Sequence, residues 1–187
     1  TANPENGVGL AIKTRDDGSY ATHPATLNGL TIIDNVITGA QTSVRFGEPD
    51  KDNTGISNLN FTGNDLSGFL NQYALDNQTD DTVHHNGNYF GTISKAGYDG
   101  INGIIQRTRG AVSYSNWANA DFTELYTTAN TLYTSLANSG FAEGDSGTTG
   151  GIYGYNAFSN IYDATINAHT QLGVIYVDGG TYTENVH

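Results

Sequence analysis

The feature that most restricts how this chain can fold is an internal repeat. Asn28-Gly29-Leu30-Thr31-Ile32-Ile33-Asp34-Asn35-Val36-Ile37-Thr38-Gly39 lies over Ser57-Asn58-Leu59-Asn60-Phe61-Thr62-Gly63-Asn64-Asp65-Leu66-Ser67-Gly68 at an offset of 29 residues, with Asn35 falling on Asn64. A third copy over residues 83–90 places Asn88 in the Asn position, 24 residues after Asn64. Fixed periods of this size belong to folds in which one short unit stacks on the next. Leu30 and Ile32 alternate, as do Leu59 and Phe61, so each pair points to one side of a strand. The Asn follows at a bend, where left-handed backbone is tolerated and the amide can bond locally. Ile37, Leu66 or Phe90 then re-enters the core. Coils stacked at about 4.8 Å align Asn35, Asn64 and Asn88 as a ladder of amides. Two hairpins of a sandwich, similar by chance, are the alternative account.

Composition agrees with a β fold and removes several functions. Only 14% of the 187 residues are charged, while there are 24 Gly and 12 Tyr among many Asn and Thr. Thr, Val, Ile and Tyr favour strands, and Gly and Asn supply the turns between them. A net charge of −12 argues against nucleic-acid binding, which needs clustered Lys and Arg. The longest apolar run, Gly173-Val174-Ile175-Tyr176-Val177, is far short of the ~20 residues that cross a bilayer, so no membrane insertion is expected. With no Cys there is no disulfide or thiol chemistry. With no Met, the chain is expected to begin within a longer or processed protein.

Residues 10–91 resemble the last coils of a right-handed parallel β-helix of the pectate-lyase-like type. Gly87-Asn88-Tyr89-Phe90-Gly91, followed by Val112-Ser113-Tyr114-Ser115-Asn116-Trp117, is similar to the terminal signature of that family, with Phe90 where Trp is usual and Asn116 where Pro is frequent. Gly173-Val174-Ile175-Tyr176-Val177-Asp178-Gly179-Gly180-Thr181-Tyr182-Thr183-Glu184-Asn185-Val186 resembles the opening strand of such a solenoid, preceded there by an amphipathic capping helix. The ending of a β-helix therefore comes first in this chain and the beginning comes last. The expected fold is mainly β: a short right-handed parallel β-helix, motifs in permuted order, with two amphipathic capping helices. Terminal coils are expected over residues 1–91, a connecting segment over 92–120, and two helices with an initiating strand over 121–187, all as one physical unit.

The first of those helices is expected from Asp121-Phe122-Thr123-Glu124, a variant capping box, followed by Leu125, Tyr126, Ala129, Leu132, Tyr133 and Leu136 at helical spacing up to Gly140. The second rests on Phe158, Ile161, Tyr162, Ile166 and Ala168. Core packing accounts for both stripes.

Catalytic motifs are weak. The enzymes of the resembled family use clustered Asp, calcium and a basic residue; the nearest candidates are Arg45, Glu48, Asp50, Lys51 and Asp52, with Asp80 and Asp81 one coil later. Asp50, Asp52, Asp80 and Asp81 make a candidate calcium site, although a solvated turn is the plainer account. His84 and His85 face opposite sides of a strand and cannot both ligate one metal simply. Asn60-Phe61-Thr62 and Asn77-Gln78-Thr79 are glycosylation sequons. The expected protein is not an enzyme and needs no cofactor beyond a candidate calcium.

Function is expected at the open ends of the solenoid, where unpaired edges invite another chain. Leu10 and Ile12 on one side, and Val174, Ile175, Tyr176, Val177, Thr181 and Tyr182 on the other, form the expected assembly edge. The C-terminal strand either folds back onto Leu10-Ala11-Ile12 or stacks head to tail on the next molecule. The leading expectation is a secreted or cell-surface structural or adhesive module that stacks on itself or on an adjacent β-helix unit, with a filament as the product. The alternative is a carbohydrate-binding or polysaccharide-cleaving β-helix, with glycans met by Tyr and Asn.

Overall fold

Short runs of β-branched and aromatic residues, each cut by Gly or Asn, form strands of two to five residues that wind rather than fold back. The structure, a computed structural model, describes residues 7–93, 103–127, 129, 131–167 and 173–184. They divide into two compact units, Thr1–Gly91 with Arg107–Tyr126, and Thr92–Gln106 with Thr127–His187.

In the first unit, β1 (Val8–Ile12), β2 (Leu27–Asn28), β3 (Thr31–Ile33) and β4 (Val36–Thr38) make one turn. The next contains β5 (Thr42–Phe46), β6 (Ile56–Ser57), β7 (Asn60–Thr62) and β8 (Asp65–Gly68). A further turn opens with β9 (Leu75–Asn77), and the chain returns as β10 (Thr108–Arg109). Every pairing among these strands is parallel. The third turn continues through parallel bridges from Thr62 to Asn86, Asp65 to Tyr89 and Val83 to Val112. The result is a parallel β-solenoid of about 3 turns. The register Leu27↔Ile56, Thr31↔Asn60, Ile32↔Phe61 is the offset of the sequence repeat.

Alternation sends Val44, Phe46, Phe61, Leu66, Leu75 and Phe90 into the coil, where they are almost wholly buried. Phe46 meets Phe61 edge to face at 5.6 Å. Each such side chain contributes roughly 1.5–3 kcal/mol through burial. The stack ends in a different geometry. β11 (Trp117–Ala118) pairs antiparallel with β12 (Leu125–Tyr126), while Ala118 N–H donates to Asn88 O at 3.0 Å. A hairpin thus covers the third turn where a further parallel rung would sit.

In the second unit, β13 (Thr131–Thr134) lies between β14 (Ala157–Phe158) and β15 (Val174–Val177) in a parallel sheet. One helix, α1 (Ile161–Asn167), packs Ala164 on Leu132 and Phe158, with Ile175 at the margin. Its N-terminus is closely satisfied. Asn160 Oδ1 accepts from Asp163 N–H at 2.7 Å, and Asp163 Oδ2 accepts from the Asn160 amide at 2.7 Å. The Glu184 carboxylate accepts from Ile161 N–H and Tyr162 N–H at 2.8 and 2.7 Å.

One expectation is corrected here. The helix expected from Asp121 to Leu136 does not form: the stretch holds β12, β13 and the start of a 3-10 turn. Asp121 Oδ1 accepts from the Thr123 hydroxyl at 2.7 Å in a local turn, and Phe122 has φ 59, which a helix cannot contain. Leu132 and Thr134 are buried while Thr131 and Tyr133 are half-buried, the period of a strand. Among the described residues one helix therefore stands where two were expected. Val174–Val177 pairs with β13, and among the described residues β1 pairs with β5.

Candidate assembly edge and corner groove

Parallel stacking gives each rung two edges. Among the described residues, β1 is terminal in its sheet, and β2, β3 and β4 each have a single partner, in the following rung. The whole first turn therefore offers an unpaired edge. Ile33 and Val36 on it are 45% and 71% exposed.

At the corner between β3 and β4 the edge is crossed by a row of amides. Asn35 donates from its backbone N–H and its Nδ2 to Asn64 Oδ1, at 3.0 and 2.9 Å. Asn64 repeats both bonds to Asn88 Oδ1, at 2.7 and 2.9 Å. Asn64 Nδ2 also reaches Ile32 O at 2.9 Å, and Asn88 Nδ2 reaches Phe61 O at 3.0 Å. Asn64 and Asn88 are fully buried, so these bonds offset the cost of taking amides out of water. The bonds between the ladder residues themselves run one way, each Asn donating from its backbone N–H and Nδ2 to the Oδ1 of the Asn in the later rung. At the far end Gly87 N–H donates to Asn116 Oδ1 at 2.6 Å, and the β11–β12 hairpin follows. At the near end Asn35 is exposed, and among the described residues no donor meets its Oδ1.

Beside this corner runs a groove of about 530 Å³, with Asp34, Asp65 and Asn86 as polar lining and Val36, Phe122 and Leu125 as apolar lining. Asp34 and Phe122 both have positive φ, 54 and 59, and both are exposed. The sequence reading missed the groove because Phe122 and Leu125 were assigned to a helix.

The remaining charged candidates are scattered. Arg45 on β5 lies opposite Asp76 on β9, and Asp76 lies opposite Arg109 on β10. Arg109 binds buried Asp76 through two bonds of 2.8 Å and stacks over Tyr73 at 5.0 Å. The bond to Asp76 holds the Arg109 guanidinium above its usual pKa. This fork staples neighbouring rungs together. Glu48 is paired with Lys13 at 2.9 Å, which holds its carboxyl below the usual range. Asp50 occupies a left-handed turn with φ 58, and Asp52 gives its carbonyl to Asp16 N–H at 3.0 Å. Asp80 is exposed, and the Asp81 carboxylate lies against Gly55. Among the described residues no three acidic or histidine side chains converge to hold a metal ion.

His84 is exposed and His85 buried, with the His85 ring edge-on to Phe90 at 5.0 Å. Of the two sequons, Asn60 is exposed. Asn77 is buried and donates to Asp81 O and Ala111 O at 2.7 and 2.8 Å, so it is no glycan acceptor in the folded chain. Thr181 is exposed, and the Tyr182 hydroxyl donates to Thr134 O at 3.3 Å. Val174, Tyr176 and Val177 remain 51%, 59% and 48% exposed on β15, whose second edge is unpaired among the described residues.

Among known proteins, no family model, no curated sequence and no solved structure matches this chain.

Proposed function

We propose that this protein is a structural or adhesive β-solenoid module of the right-handed, pectate-lyase-like type, working outside the cell, that stacks end to end with a neighbouring β-helix unit. The observation that carries this reading is the unguarded edge of β1 to β4. Natural edge strands are protected by Lys, Pro or inward charges, because a bare edge templates further pairing. The strands β1, β2, β3 and β4 contain no charged residue and no Pro. Such an edge suits a surface that another rung covers. Right-handed winding follows the strong preference of parallel crossover connections. A head-to-tail contact of this kind closes no ring of two and propagates into a filament. Light scattering across a concentration series, with negative-stain microscopy, tests it. Growing, elongated particles are expected, and Ile33→Lys with Val36→Lys should stop their growth. A wild-type chain that stays monomeric throughout refutes it.

The corner groove favours a second reading, in which the module also holds a glycan. Asp34 and Asp65 offer acceptors to sugar hydroxyls, and Phe122 offers an apolar face. A glycan array with a lyase assay in calcium tests it; silence in both retires it.

A further inference from the structure

We infer that the corner groove binds a chain of amino sugars whose amines are free and positively charged. The inference rests on the glycan reading above and names its ligand class. Asp34, Gly63 and Gly87 are one corner position on three successive rungs, each immediately before its ladder Asn, and all take left-handed backbone, with φ 54, 67 and 60. Only the first carries a side chain. The Asp34 carboxylate leans across the second rung into the space a Cβ at residue 63 would take. Leu125 Cδ2 lies 2.9 Å from where a Cβ at residue 87 would stand. Glycine at both positions therefore leaves a floor of bare backbone, with Asp34 reaching over it from one end and Leu125 from the other. Asp65 joins the carboxylate lining, and Val36, Phe122 and Leu125, 71%, 41% and 62% exposed, supply the apolar lining.

The hydrogen-bond inventory decides the charge of the ligand. The N–H groups of the floor are spent. Asp34 N–H donates to Thr62 O and Gly63 N–H to Asn86 O, both at 3.2 Å, and Gly87 N–H donates to Asn116 Oδ1 at 2.6 Å. Asn35 Nδ2 is spent on Ile33 O and Asn64 Oδ1, and the Thr62 hydroxyl on Asn60 Oδ1. Among the described residues no Lys, Arg or His lines the groove. Left for a ligand are the Asp34 and Asp65 carboxylates, the open Oδ1 of Asn35 and the Asn86 amide; Asp65 Oδ1 also accepts from Ser67 N–H at 2.9 Å. An anionic sugar would meet two like charges and no backbone N–H, on a chain of net charge −12. A neutral sugar would cover both carboxylates against apolar surface without compensating their charge. An ammonium compensates them through charge-assisted bonds. Hydroxyls on the same ring supply donors for Asn35 Oδ1, and its CH face packs on Phe122. A lysine head carries the charge without those adjoining donors.

Titration calorimetry on the full chain, just below neutral pH, tests this with oligomers of equal length of glucosamine, N-acetylglucosamine, galacturonic acid and lysine. The glucosamine oligomer should bind most tightly, and its affinity should fall as salt rises. A variant carrying Asp34→Asn and Asp65→Asn keeps the shape of both side chains and suits the left-handed turn at residue 34; it should weaken that binding about tenfold or more. Removing the same charge elsewhere, with Asp50→Asn and Asp80→Asn at exposed positions outside the groove, should leave the affinity unchanged. Phe122→Asn should weaken binding while keeping its salt dependence. Equal or tighter binding of the N-acetylated or uronic oligomer overturns the amino-sugar assignment and leaves the glycan reading in place. Lysine oligomers that bind as tightly as glucosamine also overturn it, because charge alone then accounts for the affinity. Wild-type affinity in the Asp34 and Asp65 variant places the sugar elsewhere and overturns it too. A wild type that binds none of the sugar oligomers overturns the glycan reading itself, and this inference with it.

Discussion

Acid should unfold the solenoid unit through one buried imidazole. Burial pushes His85 down to about 4 from its ordinary value near 6.5, and its ring is packed on Phe90 inside the third turn. Between these two values the unfolded chain binds a proton that the folded chain refuses. Stability therefore stays level above pH 6.5 and falls as pH drops through the window. The linkage amounts to about 2 kcal/mol by pH 5 and about 3 kcal/mol by pH 4. Trp117, the single tryptophan, is fully buried in the same unit and reports its unfolding by fluorescence. Urea titrations at pH 7, 5 and 4 on wild type and on His85→Leu separate this residue from the carboxylates, which both chains share. The wild type should lose those amounts more steeply than the variant. Parallel pH slopes in the two chains would refute the reasoning.

Three further outcomes follow from the same bonds. Asn64→Ala removes the Nδ2 donor and the Oδ1 acceptor from the centre of the ladder, leaving Asn88 Oδ1 with the backbone N–H of residue 64 and Ile32 O without its amide donor; it should cost roughly 2–4 kcal/mol, against about 1 kcal/mol for Asn35→Ala at the exposed end, in urea titrations followed by Trp117. Gly110 has φ 83, and a Cβ there would lie 2.0 Å from Asn77 O, so Gly110→Ala should cost several kcal/mol by the same assay, on the order of 3 or more. Glu184→Ala strips the carboxylate from the start of α1 at a cost of about 1 kcal/mol; hydrogen exchange at the Ile161 and Tyr162 amides should quicken while that of the ladder amides stays unchanged.

How much of this was legible in the residues depended on whether the information was local or repeated. The offset from Leu30 to Leu59 is the register itself, because parallel stacking places equivalent positions one above the other and a slip would turn Ile32 and Phe61 out of the core. The corner Asn positions follow from that register. The stretch of α1 was readable too, since Ile161, Tyr162 and Ile166 stand at helical spacing, although Phe158 of the same stripe belongs to β14. Residues 125–136 were not. Their leucines and tyrosines satisfy both periods over so short a run, and pairing with β14 and β15 selects the strand.

Sequence alone thus determined the parallel stacking, the spacing of its rungs and the Asn that stands at each corner, because these repeat along the chain. Only tertiary structure decided which edges remain bare, that β12 turns back antiparallel, that Arg109 is consumed by Asp76, and that Asn77 is buried rather than presented. Those outcomes depend on which distant segment arrives beside each residue. No local propensity encodes that arrival, since a strand's hydrogen bonds are completed by its neighbour and not by itself.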